Sequence, residues 1–310
     1  MPNEIIITCC KDPDLDGFAS AIGYAELLSK TGTPTIPWIS GNVHPEVHFV
    51  MKKFDFPYPV ETTNPENFAQ FVLVDSSELN GLDKRIKPEN VIEIIDHRKI
   101  NDSHLFPNAK IQIELVGSAA TLITEKFKEK QVTPSAKAAA LLYSAIVSNT
   151  LNFKAKVTTQ RDMAMAEWLL QQFQLPTNYV HEMFAAKSDL SGNRLQNGIR
   201  GDFAWFALGN KKIGIAQLEI VGGSELASRR SDEIIEELSQ LKVEKGLDLI
   251  FMSIIELEEG FNLFITKDQE AQRILSELFD ITFNDTIAKR NGLIMRKEIV
   301  PLLKEKLQAH

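Results

Sequence analysis

Ile5-Ile6-Ile7-Thr8-Cys9-Cys10-Lys11-Asp12-Pro13-Asp14-Leu15-Asp16-Gly17 opens the chain with an apolar run that breaks into acidic residues and then turns. Two further runs end in the same manner. Phe71-Val72-Leu73-Val74 closes on Asp75, and Val91-Ile92-Glu93-Ile94-Ile95 closes on Asp96-His97-Arg98. Short β-branched runs of this kind read as buried strands of a parallel sheet. Their acidic and imidazole ends then share one sheet edge, the edge at which open α/β folds bind ligands. Several carboxylates and an imidazole gathered there repel one another unless a cation sits between them. The pattern points to a divalent metal site.

Asp14 and Asp16 alternate with Pro13 and Leu15, so in an extended loop both carboxylates face one way. An Asp-rich turn with Asp16 as a helix N-cap explains the same stretch equally well. Asp75 alone would be a commonplace residue after a strand, and His97 alone a hydrogen-bonded partner. Taken together, the three clusters carry the metal reading.

Outward from these runs, strand-like and helix-like segments alternate. Strands are expected near 35–39 and 111–115, and helices near 18–29, 118–130, 135–148 and 160–173. Thr159 with Asp162 three residues on has the form of a capping box. Such alternation implies an α/β domain, with a mostly parallel sheet covered by helices on both faces. The pattern changes at the polar stretch Ser188-Asp189-Leu190-Ser191-Gly192-Asn193. Beyond it come two hairpin signals, 203–208 with 213–221 and 249–257 with 261–266, and an amphipathic helix over 231–241. We expect a first domain over 1–187, a linker over 188–193 and a smaller α+β domain over 194–310.

The chain has 310 residues, 44 % of them hydrophobic, which suits two globular domains and argues against disorder. A net charge of −8 argues against a nucleic-acid polymer as partner but leaves room for a small cationic phosphate pocket. The two cysteines, Cys9 and Cys10, are adjacent and build no disulfide framework. No apolar run approaches the ~20 residues of a membrane span. A cytoplasmic location is the expectation.

At this point the sequence resembles the DHH phosphoesterase superfamily, and most closely the manganese-dependent (family II) inorganic pyrophosphatases with their exopolyphosphatase and prune-type relatives. Asp12-Pro13-Asp14-Leu15-Asp16, the strand end at Asp75 and Ile95-Asp96-His97-Arg98 carry the likeness. Glu114 to Thr121, Leu141 to Thr150, Gly214 to Glu219 and Met295-Arg296-Lys297-Glu298-Ile299-Val300-Pro301 extend it over nearly the whole chain. The resemblance implies two manganese ions in the first domain, or one if altered ligands fail, with magnesium or cobalt as substitutes. It implies Asp75 between the metals, Asp14 on the first, Asp16 and His97 on the second, and Asp96 supporting them. Arg296 and Lys297 match a phosphate-binding pair of a second domain that closes over a small phosphorylated substrate, and homodimers are common among relatives.

Five positions depart from the family pattern. Cys10 stands where a metal-binding histidine is usual, and could ligate as thiolate or be a small buried residue. Arg98 replaces the second histidine of the motif and can hold phosphate but not titrate. Asn149 replaces a metal-binding aspartate, a neutral and weaker ligand. Ala204 replaces a phosphate-binding lysine, and Met295 a serine. Arg229-Arg230, at the expected start of a helix, reads as a solvated pair, and His44, His48, His104, His181 and His310 lie outside every motif. The implied function is metal-dependent hydrolysis of phosphoanhydride or phosphoester bonds by an activated water. The altered positions motivate the other reading, a relative that binds a phosphorylated ligand or a protein partner with little turnover. A nuclease of the same superfamily is disfavoured, because no glycine-rich C-terminal motif is present.

Overall fold

The computed structural model describes residues 4–56, 64–98 and 101–308, so His310 lies outside it. The chain forms two compact units, Met1–Ala186 and Lys187–His310. No helix among the described residues is long and apolar enough to cross a membrane.

The first unit runs β1 (Ile5–Thr8), α1 (Leu15–Lys30), β2 (Thr35–Pro37), α2 (Pro45–Lys53), β3 (Phe71–Val74), β4 (Val91–Asp96), β5 (Lys110–Ile113), α3 (Ala119–Glu129), α4 (Ala136–Asn149), α5 (Gln160–Leu170) and α6 (Tyr179–Lys187). The five strands are parallel, in the order β2-β1-β3-β4-β5. The strand order reverses between β1 and β3, and at such a switch point two loops diverge and leave a crevice at the carboxyl ends of the strands. Every residue of β3 is buried, as a central parallel strand requires. Helices α1 and α3 pack on one face, with α4 stacked on both. The core on the opposite face is built differently from the expected second helix layer. Ile6, Phe71, Leu73, Val91 and Ile94 meet Trp38, Phe68, Ile86 and Phe106 from connecting segments. The crossovers from β3 to β4 and from β4 to β5 contain no α-helix, only single 3-10 turns among their described residues, so loop side chains close that face.

The second unit runs α7 (Arg194–Gly201), β6 (Phe203–Leu208), β7 (Lys211–Ile220), α8 (Gly223–Lys245), β8 (Leu249–Glu256), β9 (Phe261–Ile265), α9 (Gln269–Phe279), β10 (Ile287–Asn291) and α10 (Arg296–Gln308). Its sheet has the order β10-β9-β8-β7-β6. Separate apolar clusters fill its two faces, one with Leu195, Ile234 and Leu238 from α7 and α8, the other with Ile274, Leu275, Ile299 and Leu303 from α9 and α10. Both predicted hairpins are antiparallel, but β7 and β8 pair in parallel. The crossover helix between them imposes this, since antiparallel neighbours need only a tight turn. That helix is longer than its amphipathic stretch suggests. It starts at Gly223 and kinks at Arg230, where φ is −129°. Arg229-Arg230 therefore lies inside α8 rather than at its start, and Arg230 donates to Glu233 and to the Leu190 carbonyl. Residues 188–193 form no regular element, and Ser188 Oγ accepts from Val221 N at 2.8 Å.

One surface cluster of the first unit makes its stability pH-dependent. Asp83 accepts from Arg85 Nε at 2.9 Å and from Ser40 Oγ, and Arg85 lies 4.9 Å from the Trp38 ring centre. The Arg85 hydrogen bonds hold the Asp83 carboxyl well below the usual carboxylate range. A carboxylate whose folded pKa is depressed stabilises the fold above its unfolded pKa of about 4, and the contribution is lost as pH falls through the folded value. Asp83→Asn should therefore lower the urea midpoint at neutral pH, with the gap to wild type narrowing below about pH 4. A gap unchanged by acid would show that Asp83 acts through shape alone.

Candidate metal centre

The loop after β1 delivers Asp14 as the N-cap of α1, with Oδ1 accepting from Asp16 N at 3.0 Å and Gly17 N at 3.1 Å. The helix thus begins before the expected position 18. The cap is Asp14 rather than Asp16, and the first helical turn, not an extended loop, sets the direction of Asp16. Gly17 packs closely: a Cβ there would lie 3.2 Å from Cys9 Cβ and 3.4 Å from Asp75 Oδ2, so those side chains would have to give way.

Asp16 is buried and enclosed by donors. Oδ1 accepts from Ser118 Oγ at 2.8 Å and Ala120 N at 2.9 Å, and Oδ2 from Ala119 N at 2.9 Å and Asn149 Nδ2 at 2.6 Å. The carboxylate sits on the N-terminus of α3, where free N–H groups and the helix dipole favour negative charge. Asp75 follows β3 with φ of +50°, a left-handed conformation that aspartate tolerates better than most residues. Its backbone N donates to Ile95 O at 2.8 Å, which holds the turn against β4.

His97 stands between the two carboxylates, with Nε2 3.3 Å from Asp75 Oδ1 and 3.6 Å from Asp16 Oδ2. Nδ1 lies 3.0 Å from the Val116 carbonyl. A carbonyl only accepts, so Nδ1 carries the hydrogen and Nε2 is turned to the carboxylates. Asp96 is fully buried behind it. Oδ1 accepts from His97 N at 2.7 Å and Oδ2 from Ser77 Oγ. Burial raises the pKa of both Asp16 and Asp75. Burial opposes charge on His97, yet Asp75 and Asp16 push its pKa up. Each shift has the same physical origin, a surplus of negative charge in a dry place.

Asp16, Asp75 and His97 offer ligand atoms within 4.8 Å of one another, and they form the one such group among the described residues. Asp75 Oδ1 is buried and accepts no hydrogen bond. Two hard carboxylate oxygens and an imidazole nitrogen suit a divalent ion such as manganese. A buried acceptor whose one polar neighbour is the His97 Nε2, at 3.3 Å, fits that ion.

The remaining expected site residues fall differently. Asn149, the last residue of α4, donates its amide to Asp16 and to Gly117 O at 3.2 Å, so it faces the cluster as a donor rather than as an oxygen ligand. Burial, then Asp75 and Asp14, push the Cys10 thiol up to about 12. Arg98 faces the site's carboxylates, with NH2 3.0 Å from Asp75 O and 3.6 Å from Asp75 Oδ2, and Nε 3.8 Å from Asp96 Oδ1. Arg296 and Lys297 belong to the second unit, at the start of α10. The Arg296 guanidinium is committed to the Asp202 carbonyl at 2.7 Å and to the Asp202 carboxylate, whereas Lys297 is exposed. Both line a cavity of about 350 Å³ with Phe206, Gln217, Met295, Val300 and Pro301.

Sequence reasoning missed the donors to Asp16. Ser118 lies in a quoted motif, but nothing local marks it as a partner of a residue 102 positions away. The capping box of Thr159 and Asp162 forms as expected, but the reach of Asp162 to a second segment was missed. Asp162 accepts from Gly117 N at 2.9 Å and Thr121 Oγ1 at 2.6 Å. One buried carboxylate therefore ties the start of α5 to the turn that presents Ser118, Ala119 and Ala120 to Asp16.

A switch-point crevice holding a carboxylate–carboxylate–imidazole cluster, together with a second unit that sets Arg296 and Lys297 on a largely apolar cavity, is the arrangement of a two-domain metal-dependent phosphohydrolase. Residues 4–146 match the DHH family N-terminal domain and residues 181–306 the DHHA2 domain. A Bacillus pumilus protein described as a probable manganese-dependent inorganic pyrophosphatase is 33 % identical over 96 % of this chain and 97 % of its own. One from Clostridium acetobutylicum with the same description is 30 % identical over 98 % of each. Among solved structures, a Methanococcus jannaschii protein assigned as a family II inorganic pyrophosphatase superposes with a TM-score of 0.71 at 27 % identity, covering 98 % of this chain and 99 % of its own. An exopolyphosphatase-related protein of Bacteroides fragilis shares the fold, with a TM-score of 0.52 at 12 % identity, over 99 % of this chain and 92 % of its own. The chain belongs to the manganese-dependent inorganic pyrophosphatase family.

Removing Asp162 should loosen the anchor of Asp16 from a distance. Asp162→Ala leaves a buried N–H and a buried hydroxyl without an acceptor, and should cost about 3 kcal/mol in urea unfolding. Manganese binding should weaken alongside. A loss below about 1 kcal/mol would mean that water replaces the carboxylate there.

Proposed function

We propose that this protein is a manganese-dependent phosphohydrolase that cleaves phosphoanhydride bonds, with Asp16, Asp75 and His97 as the metal-holding residues. The observation that carries this reading is the buried Asp75 Oδ1, which has no hydrogen bond and faces His97 Nε2 at 3.3 Å. Bound manganese supplies positive charge to a phosphoryl group and makes a water acidic enough to attack phosphorus. The rest is the work of the chain. Val116 O fixes the His97 tautomer, Asp96 holds the His97 backbone, and the α3 N-terminus aims Asp16 and favours its charged form against burial. Asp14 spends Oδ1 on the cap of α1 and stands outside the three-residue group.

In the second unit, we assign the phosphate contact to Lys297. Arg296, already paired with Asp202, stiffens the start of α10 instead. Phe206, Met295, Val300 and Pro301 give the adjoining cavity an apolar wall, of little use to pyrophosphate, which is small and wholly charged. Ala204 and Met295 bring neither cation nor hydroxyl. These residues support a preference for longer or partly esterified phosphates over pyrophosphate. The donor role of Asn149 and the position of Arg98 favour a second reading, binding of such a phosphate with slow turnover.

Two experiments test this. Asp75→Ala should weaken manganese binding in calorimetry by on the order of a hundredfold or more, and unchanged binding would remove Asp75 from the site. Phosphate release from pyrophosphate, tripolyphosphate, long polyphosphate and nucleotides, each with manganese, magnesium and cobalt, should give the highest kcat/KM for tripolyphosphate or a nucleotide. A clear preference for pyrophosphate would overturn the substrate assignment, and manganese binding without turnover on any of them would establish the second reading.

A further inference from the structure

We propose that the Arg98 guanidinium stands in for a second metal ion, so that the centre holds one divalent cation per chain. The inference rests on the metal centre proposed above and replaces the two-ion expectation.

The two oxygens of Asp75 have different surroundings. Oδ1 lies 3.3 Å from His97 Nε2 and has no other polar partner, as a ligand atom beside a metal-binding imidazole would. Oδ2 lies 3.6 Å from Arg98 NH2, so a cation is already in place on that side. The guanidinium is pinned there by NH2 donating to the Asp75 carbonyl at 3.0 Å, and Nε reaches toward Asp96 Oδ1 at 3.8 Å. An arginine is charged at every accessible pH and needs no loading. A divalent ion on Oδ2 would have to displace it or sit against it, and like charges so close in a dry site repel strongly.

The other groups leave a second ion few lone pairs. Both oxygens of Asp96 already accept, from His97 N and Ser77 Oγ. Asp14 Oδ1 caps α1 with two bonds. Asn149 presents N–H to Asp16. What remains is the Asp16–Asp75–His97 group, in which Asp16 is hydrogen-bonded but Asp75 Oδ1 is not, and one fixed organic cation. The difference matters for substrate. On the Asp75 Oδ2 side, a phosphate oxygen meets a planar fork of N–H donors rather than an ion, which suits directional, two-point contact.

The test is metal stoichiometry on the full-length protein, stripped with chelator, loaded with manganese and desalted. Elemental analysis should give one manganese per chain, and the electron paramagnetic resonance spectrum should be that of an isolated ion. In Arg98→Ala or Arg98→His a second manganese should bind at least about tenfold more tightly than any second event in wild type, with spin coupling between the ions. Arg98→Lys, which keeps the charge, should stay at one ion and serves if the other variants fail to fold. Two manganese ions of comparable affinity in wild type, or a spin-coupled wild-type signal, would overturn the proposal while leaving the metal centre intact. No bound manganese at all would instead remove the metal reading beneath it.

Discussion

Two carboxylates, Asp16 and Asp75, are buried within reach of one imidazole, and the rest of the first unit is arranged around that crowding. Neither carboxylate could stay ionised there unaided, because burial and mutual repulsion both favour the proton. The fold answers differently for each. Asp16 receives a helix N-terminus, a hydroxyl and an amide. Asp75 receives an arginine on one oxygen and faces the His97 imidazole with the other. The parallel sheet makes the cluster possible, since β1, β3 and β4 are neighbours whose carboxyl ends coincide at the switch point.

The second unit solves a simpler problem. It must hold a basic residue at the start of a helix without letting it wander. Gln217 accepts from Arg296 N at 2.7 Å, and Asp202 takes the Arg296 guanidinium. Lys297 is then left with its charge in solvent, beside a wall of apolar side chains. A mixed sheet with helices on both faces gives this end of the unit its rigidity.

The placement of Asp16, Asp75 and His97 just beyond buried strands was legible because position and chemistry are local properties. A buried run followed by a carboxylate says where that carboxylate goes. The directions of side chains were not legible. Asn149 turns its nitrogen inward because Asp16 and the Gly117 carbonyl, from two distant segments, both accept there. Arg98 could be named, but its bond to the carbonyl of Asp75 depends on a left-handed turn that no local pattern announces. The parallel pairing of β7 and β8 was within reach, since a helix was expected between them and a tight turn was not. The loop-built core of the first sheet was hidden for the opposite reason. Trp38, Phe68, Ile86 and Phe106 are scattered singly and carry no periodicity.

The left-handed backbone at Asp75 also constrains how this site can drift. Position 75 passes two independent filters, one for a residue that accepts positive φ and one for an anion. Asparagine and glycine satisfy the first and fail the second; glutamate has the charge but not the conformational ease. Neighbouring positions such as 98 and 149 face only the chemical filter, so a lineage can exchange residues there while the turn persists. A family with this architecture would alter its metal inventory at the rim before it altered the residue at the pivot.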